Sequence, residues 1–165
     1  MDTDTLTAYH EAGHAFAAIY LGARVQRVSI DPDRDDGPNR YGETVVAWNP
    51  RRMTALQMAE KSAIVAIAGP VAEMIYREEP FHPAFVAEWQ NDWALGLEAL
   101  KELPRLKSPR LRVAHLENAV ADLYQVFRRD DYWEVIAAIA DELLAHEILD
   151  EEMFREAVEP WLDAG

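Results

Sequence analysis

Two histidines and a glutamate near the N-terminus are the residues whose types and spacing most clearly suggest chemistry. The stretch YHEAGHAFAAIYLG contains His10, Glu11 and His14, so the two imidazoles are four residues apart. On an α-helix this spacing places both side chains on one face, one turn apart, within reach of a single metal ion. Neutral imidazole is a good ligand for zinc. The spacing therefore predicts two ligands of a zinc site on one helix.

The glutamate between the two histidines points to hydrolysis. Glu11 lies about 100° around the helix from His10, so it is poorly placed as a third ligand but can reach a water molecule that the metal holds. Its carboxylate could act as general base on that water and later protonate a leaving amine. This is the HExxH pattern of zinc metallopeptidases. The alternative interpretation is a helix with two surface histidines and an ion-paired Glu11.

The motif supplies two ligands, whereas a catalytic zinc ion has three protein ligands and a water. The metzincin continuation requires a glycine and a histidine where this chain has Ala17 and Tyr20, so that class is excluded. Three side chains further along are candidates for the third ligand: Glu73, His82 and Asp92.

The elements that position these residues begin with a helix predicted from Leu6 to Leu21, which Gly22 can end in a left-handed conformation. Val25–Ile30 alternates and is β-branched, which predicts a strand. The segment Asp31–Arg40 has turn composition throughout. A second strand, antiparallel to the first, is predicted over Tyr41–Trp48.

The rest of the sequence has helical character. Thr54 can cap a long helix, which Gly69-Pro70 would kink or restart. The predicted helical segments are 54–68, 71–77, 86–103, 109–128, 132–146 and 151–161. The fold class that follows is α+β: one mostly helical domain over residues 1–165, with a small antiparallel sheet near the N-terminus and a zincin-like HExxH helix.

Composition narrows the range of functions. The 165 residues carry a formal net charge of −14, which disfavours nucleic acid as a partner. The chain has no cysteine, so disulfides and cysteine-ligated zinc sites are excluded. No apolar run approaches the roughly 20 residues of a membrane helix, and the start, MDTDTLTAYHE, lacks the basic region of a signal peptide. We therefore expect a cytoplasmic protein without a membrane segment.

Taken together, these motifs resemble those of the FtsH-type peptidases, the proteolytic domain of the membrane AAA+ proteases. The resemblance covers nearly the whole chain, and its segments occur in the same order as in that family. They are TAYHEAGHA, RYGETVV, AIVAIAGPVAEMIY, WQNDWALGLEAL and IADELLAHEILDEEMFREAV.

The resemblance implies a zinc-dependent peptidase that acts on unfolded or extended polypeptides. It assigns the metal to His10, His14 and Asp92, with Glu11 as the general base. It also implies supporting roles around the ligands. Glu73 would hold an imidazole N–H of a ligand histidine, and Asn91 would help to orient Asp92.

The second predicted strand is the expected substrate-binding element. An extended peptide could add to its edge through backbone hydrogen bonds, which predicts loose sequence preference. The residues predicted to contact substrate are Tyr41, Gly42, Glu43 and Thr44. Tyr41 and His82 are also candidate donors to the oxyanion of the reaction.

The chain departs from the family in several places. It contains neither an AAA+ module with its P-loop nor a membrane anchor, so a separate ATPase could supply substrate, and a ring-shaped homo-oligomer is a further expectation. The segment FVAEWQND replaces the family's lead into Asn-Asp, and Pro70 replaces a glycine. Two alternatives follow: an inactive metal-binding or scaffold module, which the presence of Glu11 disfavours, or an ImmA/IrrE-like regulatory protease with Glu73 as third ligand.

Overall fold

Six α-helices and three short strands make up the part of the chain that the computed structural model describes, residues 2–30 and 42–164. The predicted turn over 31–40 and the candidate Tyr41 lie outside these residues. The elements in chain order are α1 Thr3–Tyr20, β1 Arg24–Ile30, β2 Gly42–Ala47, α2 Ala55–Arg77, α3 Gln90–Leu100, α4 Pro109–Phe127, α5 Asp130–His146, β3 Ile148–Asp150 and α6 Glu151–Ala164. The expected α+β fold, mostly helical with a small antiparallel sheet, is confirmed.

Helix α1 is the central element and carries the histidine pair. Asp2 caps its first turn through a hydrogen bond from the Asp4 N–H, and Gly22 follows its end with a φ of +96°. Nearly all of its side chains from Thr7 to Ala18 are buried, because α2, α5 and the sheet pack around it. Both histidines are therefore largely buried, with 8 % of each exposed.

Helix α2 runs without interruption through Gly69-Pro70. Thr54 caps it with a reciprocal capping box that includes Gln57. The predicted restart at Gly69-Pro70 is wrong. Proline removes a single N–H donor from a helix, and here the residues on both sides of Pro70 are buried against the rest of the core. Tertiary packing therefore maintains the helix across a residue that would end an isolated one.

Helices α1 and α2 approach each other closely at Gly13. A Cβ atom built on Gly13 would lie 2.5 Å from the backbone oxygen of Ala68 and 2.6 Å from the Cβ of Ala72. Only a glycine on α1 and small residues on α2 permit this separation. The close contact brings the histidine face of α1 directly against α2.

The sheet has the order β2-β1-β3, with β1 antiparallel to both neighbours. Val28 pairs with Thr44 on one side and with Leu149 on the other. Strand β3 was not predicted, because three residues are too few to show an alternating pattern. Among the described strands β2 lies at one edge of the sheet.

Two short 3₁₀ turns, Pro83–Phe85 and Ala87–Trp89, precede α3. The α-helix therefore begins at Gln90, later than the predicted start at Val86. Near the C-terminus, Asp150 caps α6 by accepting a hydrogen bond from the Met153 N–H at 2.8 Å. None of the described helices combines the length and the apolar character that crossing a membrane requires.

Candidate metal centre

Three predicted ligands meet at one point in the structure. Asp92 Oδ2 lies 2.6 Å from His10 Nε2 and 3.2 Å from His14 Nε2. The potential ligand atoms of the three side chains all lie within 4.8 Å of one another, and no other such group of three occurs among the described residues. Helix α1 supplies two of these side chains and the first turn of α3 supplies the third. The fold thus brings together residues that are 82 positions apart in the sequence.

Both imidazoles present the same nitrogen to this point. His14 Nδ1 lies 2.6 Å from the backbone oxygen of Val65. A carbonyl oxygen can only accept, so Nδ1 carries the proton, and the lone pair of a neutral ring is on Nε2. The Nδ1 side of the His10 ring faces a carboxylate instead, at the longer distance of 3.6 Å from Glu73 Oε2. This is the arrangement in which histidines bind metals through Nε2.

The electrostatics of the group favour positive charge at its centre. Burial disfavours a charged imidazole, but the carboxylates of Asp92 and Glu73 outweigh it and raise the pKa of His10 to about 10. Burial likewise opposes the raised pKa of His14, which the charge of Asp92 outweighs. Burial raises the pKa of Asp92, but the two imidazoles hold it well below its usual range. A bound divalent cation would supply the same positive charge and displace the protons.

Gly69 on α2 provides the space in front of the ligands. A Cβ atom at this position would overlap His14 Nε2 and would lie 2.7 Å from His10 Nε2. Sequence reasoning treated Gly69 only as a possible helix break and missed this role. The signal in the sequence was a glycine inside a helical segment, which usually requires a packing reason because it costs about 1 kcal/mol relative to alanine.

Glu11 is positioned by the edge strand β2. The Thr44 hydroxyl donates a hydrogen bond to Glu11 Oε1 at 2.8 Å. Gly42 leaves room for the same carboxylate, because a Cβ atom there would lie 2.6 Å from Glu11 Cγ. Glu11 is buried, with 6 % of its surface exposed. The strand thus holds the carboxylate in one orientation at the side of the metal-binding group.

An open cleft of about 430 Å³ joins these features. It lies between β2, α1, α2 and α3. Its lining residues are Glu11, His14, Gly42, Glu43, Thr44, Ser62, Val65, Ala66, Asn91, Asp92, Leu95 and Ala99. The candidate base and two candidate ligands therefore face the same solvent-accessible space.

Three of the four residues predicted to contact substrate lie at the cleft. Gly42, Glu43 and Thr44 line the cleft, although the Thr44 hydroxyl is engaged by Glu11. Glu43 is exposed and also pairs with Arg27 at 3.1 Å. Their contact with a substrate stays a prediction. So does the orienting role of Asn91, which lines the cleft but makes no side-chain hydrogen bond to Asp92 within the described chain.

The two other candidates for the third ligand do not reach the Nε2 atoms of His10 and His14. Glu73 is fully buried on the Nδ1 side of His10, away from the point where the Nε2 atoms meet Asp92. His82 Nε2 lies 2.9 Å from Glu117, and its Nδ1 accepts a hydrogen bond from the Ala84 N–H. In this structure Asp92 alone of the three candidates reaches both ligand histidines.

No protein-family model and no curated protein sequence matches the chain.

Proposed function

We propose that the protein is a zinc-dependent metallopeptidase that hydrolyses peptide bonds of unfolded or extended polypeptides. The observation that carries the proposal is the position of Asp92 at the Nε2 atoms of His10 and His14, with Glu11 in the same cleft. Two imidazoles and one carboxylate are a ligand set typical of catalytic zinc, which keeps a further position open for water or substrate. The HExxH motif and a third ligand from a distant helix together favour hydrolysis.

The donor set fits a metal ion by its chemistry as well as by its position. His10, His14 and Asp92 would hold the ion, and their buried surroundings favour positive charge. Bound zinc would supply a Lewis acid that polarises the substrate carbonyl and makes water acidic enough to act as a nucleophile near pH 7. Gly69 leaves the ligand nitrogens unobstructed on the α2 side.

Glu11 would move the protons of the reaction. In the proposed mechanism its carboxylate accepts a proton from the attacking water and then donates it to the leaving amine. The hydrogen bond from Thr44 to Oε1 fixes the plane of the carboxylate. The same strand that orients this base forms one side of the cleft, so base and substrate would be aligned by a single element.

The substrate would bind as an additional strand on the outer edge of β2. Backbone hydrogen bonds then supply most of the recognition, so the enzyme should prefer extended chains over a particular sequence. A separate ATPase that delivers unfolded chains, assembly into a homo-oligomeric ring and a cytoplasmic location remain predictions from the sequence.

Glu11→Gln tests the proposal directly. This variant should bind zinc as the wild type does, because Glu11 is not a ligand, and should lose about 10²–10⁴-fold in turnover of unfolded casein. Glu98→Gln is a matched control, because Glu98 is exposed and pairs only with Lys101 among the described residues. The proposal fails if zinc-saturated wild-type protein cleaves no unfolded substrate while a reference protease does.

The two alternative functions predict different outcomes. A binding or scaffold module would hold zinc without turnover, although a base held by Thr44 in an open cleft has no use in such a module. A regulatory protease with Glu73 as third ligand would lose zinc in Glu73→Ala and keep it in Asp92→Ala. The observed position of Glu73 on the Nδ1 side of His10 supports Asp92 instead.

A further inference from the structure

A buried tryptophan supports the metal-binding group from behind. We propose that Trp89 is a positioning residue of the metal centre: its indole acts through Glu73 to orient His10, and its burial fixes the start of the helix that carries Asp92. This inference rests on the proposed metal site and adds a determinant of zinc affinity that the sequence motifs do not include.

A chain of contacts leads from Trp89 to the ligands. The indole Nε1–H of Trp89 donates a hydrogen bond to Glu73 Oε2. The same oxygen lies 3.6 Å from His10 Nδ1, and Nε2 on the other side of that ring lies 2.6 Å from Asp92. Trp89 and Glu73 are both completely buried. The indole, the carboxylate and the imidazole therefore form one connected group in the protein interior.

The donor chemistry of indole explains why this residue type suits the position. A buried carboxylate is costly unless hydrogen bonds stabilise its charge. The indole N–H can donate but cannot accept, so it does not compete with Glu73 for the proton of His10. With its carboxylate held by Trp89, Glu73 can accept from His10 Nδ1–H and leave Nε2 directed at the metal position. Phenylalanine is aromatic but smaller than tryptophan, and it lacks this donor.

Trp89 also controls the position of the third ligand through the backbone. It is the residue immediately before α3, and Asp92 follows three positions later in the first turn. No described side chain caps the start of α3 by a hydrogen bond. The location of this helix start is therefore set by the burial of Trp89 and by its bond to α2 through Glu73.

The structure also supplies a matched control. Trp93 lies on α3, next to Asp92, and is 7 % exposed. Its ring contacts His82 at a centroid distance of 4.7 Å, and no described hydrogen bond links its indole to Glu73. If Trp89 mattered only as a large apolar side chain, replacing either tryptophan with phenylalanine would have similar consequences for the metal site.

The experiment compares Trp89→Phe with Trp93→Phe in the full chain. Zinc affinity is measured by competition with a chromophoric chelator, and the geometry of the site is followed by the visible absorption of the Co²⁺-loaded protein. Trp89→Phe should weaken zinc binding about 10–100-fold, as loss of a group that supports a ligand histidine typically does. It should also change the Co²⁺ bands. Trp93→Phe should stay within about twofold of wild type and keep the bands.

A double variant tests whether Trp89 acts through Glu73. Glu73→Met removes both carboxylate oxygens at similar volume and should weaken zinc binding by itself, and adding Trp89→Phe should then cost less than it does in the wild type. Such non-additivity is expected for residues in contact with one another. Fully multiplicative losses would overturn the proposed route through Glu73.

Native zinc affinity and an unchanged Co²⁺ spectrum in folded Trp89→Phe would overturn the proposal. If that variant does not fold, 3-benzothienylalanine at position 89 keeps the bicyclic shape and lacks the N–H, and the same loss of affinity is expected. Failure of the proposed function is distinguishable, because wild-type protein would then bind no zinc or would bind it without turnover. In the second case the affinity comparison still tests Trp89.

Discussion

The candidate metal centre depends on Gly69, which has no side chain, as much as on its candidate ligands. At Gly69, α2 passes the two ligand histidines so closely that a methyl group would occupy the space beside their Nε2 atoms. His14 is held by a hydrogen bond to the backbone oxygen of Val65, and both histidines are largely buried. The rings therefore have little freedom to move away from an added atom.

Gly69→Ala should consequently impair metal binding more than folding. We expect zinc affinity to fall at least about tenfold, the loss typical when ligand orientation is disturbed, whereas alanine favours the helix by about 1 kcal/mol. Chelator competition and circular dichroism measure the two effects. Gly96→Ala is the control, because its added Cβ would meet the flexible end of Leu116 and not the site. Wild-type zinc affinity in Gly69→Ala would contradict the role given to Gly69.

At the scale of elements, the site is built by the contact between α1 and α2 and by the start of α3. The two helices are in close contact at Gly13, where backbone and small side chains meet. This packing places the histidine face of α1 against Gly69 and Val65 of α2. A change in helix separation would therefore alter both stability and the geometry of the ligands.

Gly13→Ala tests this contact. The added methyl would overlap the backbone oxygen of Ala68, which cannot rotate away, and overpacking of this kind costs about 1–3 kcal/mol. We expect a lower free energy of unfolding in urea together with weaker zinc binding, although alanine has the higher helix propensity. If Gly13→Ala is more stable than wild type and binds zinc equally well, the helices are not held as closely as the structure has them.

The sequence predicts the elements that carry local signals. The HExxH helix, the two longer strands and the capped helices that begin near Thr54 and Pro109 could be predicted from periodicity and cap residues. Strand β3 is too short for any pattern, and the continuity of α2 through Pro70 depends on burial that no local signal contains. Such features are set by tertiary packing rather than by propensity.

The residues of the candidate site also divide into those that have a local sequence signal and those whose role depends on tertiary packing. His10, Glu11 and His14 follow from their spacing on one helix. Asp92 is 82 residues from His10, so spacing could not choose among the third-ligand candidates, and only the resemblance favoured it. Gly69 and Trp89 were not recognised as site residues, because their roles depend on which helix faces α1 and on a hydrogen bond across the core.

At the scale of the whole molecule, a metal ion would join elements that are distant in sequence. It would connect α1 to α3. Helix α2 is already joined to the start of α3 by the hydrogen bond between Trp89 and Glu73. A ligand that binds only the folded state stabilises it in proportion to its concentration relative to the dissociation constant. We therefore expect zinc to act as a structural link in addition to its proposed role as a Lewis acid.

Metal removal tests this coupling. Zinc at 100 times its dissociation constant should add about 2.7 kcal/mol of stability, which corresponds to roughly 5–10 °C in Tm for a chain of this size. A chelator should reverse the shift in a thermal scan. His82→Ala should keep the zinc-dependent shift, because His82 pairs with Glu117 outside the group, whereas Asp92→Ala should lose it. Equal Tm values with zinc and with chelator would show that no such link forms.

The most direct measurement is the zinc content of purified, dialysed protein, determined by elemental analysis for the wild type and a set of single variants. We expect one zinc ion per chain in the wild type and in Glu11→Gln, and little or none in His10→Ala, His14→Ala and Asp92→Ala. A wild type without zinc would contradict this expectation. So would zinc retained in Asp92→Ala but lost in Glu73→Ala.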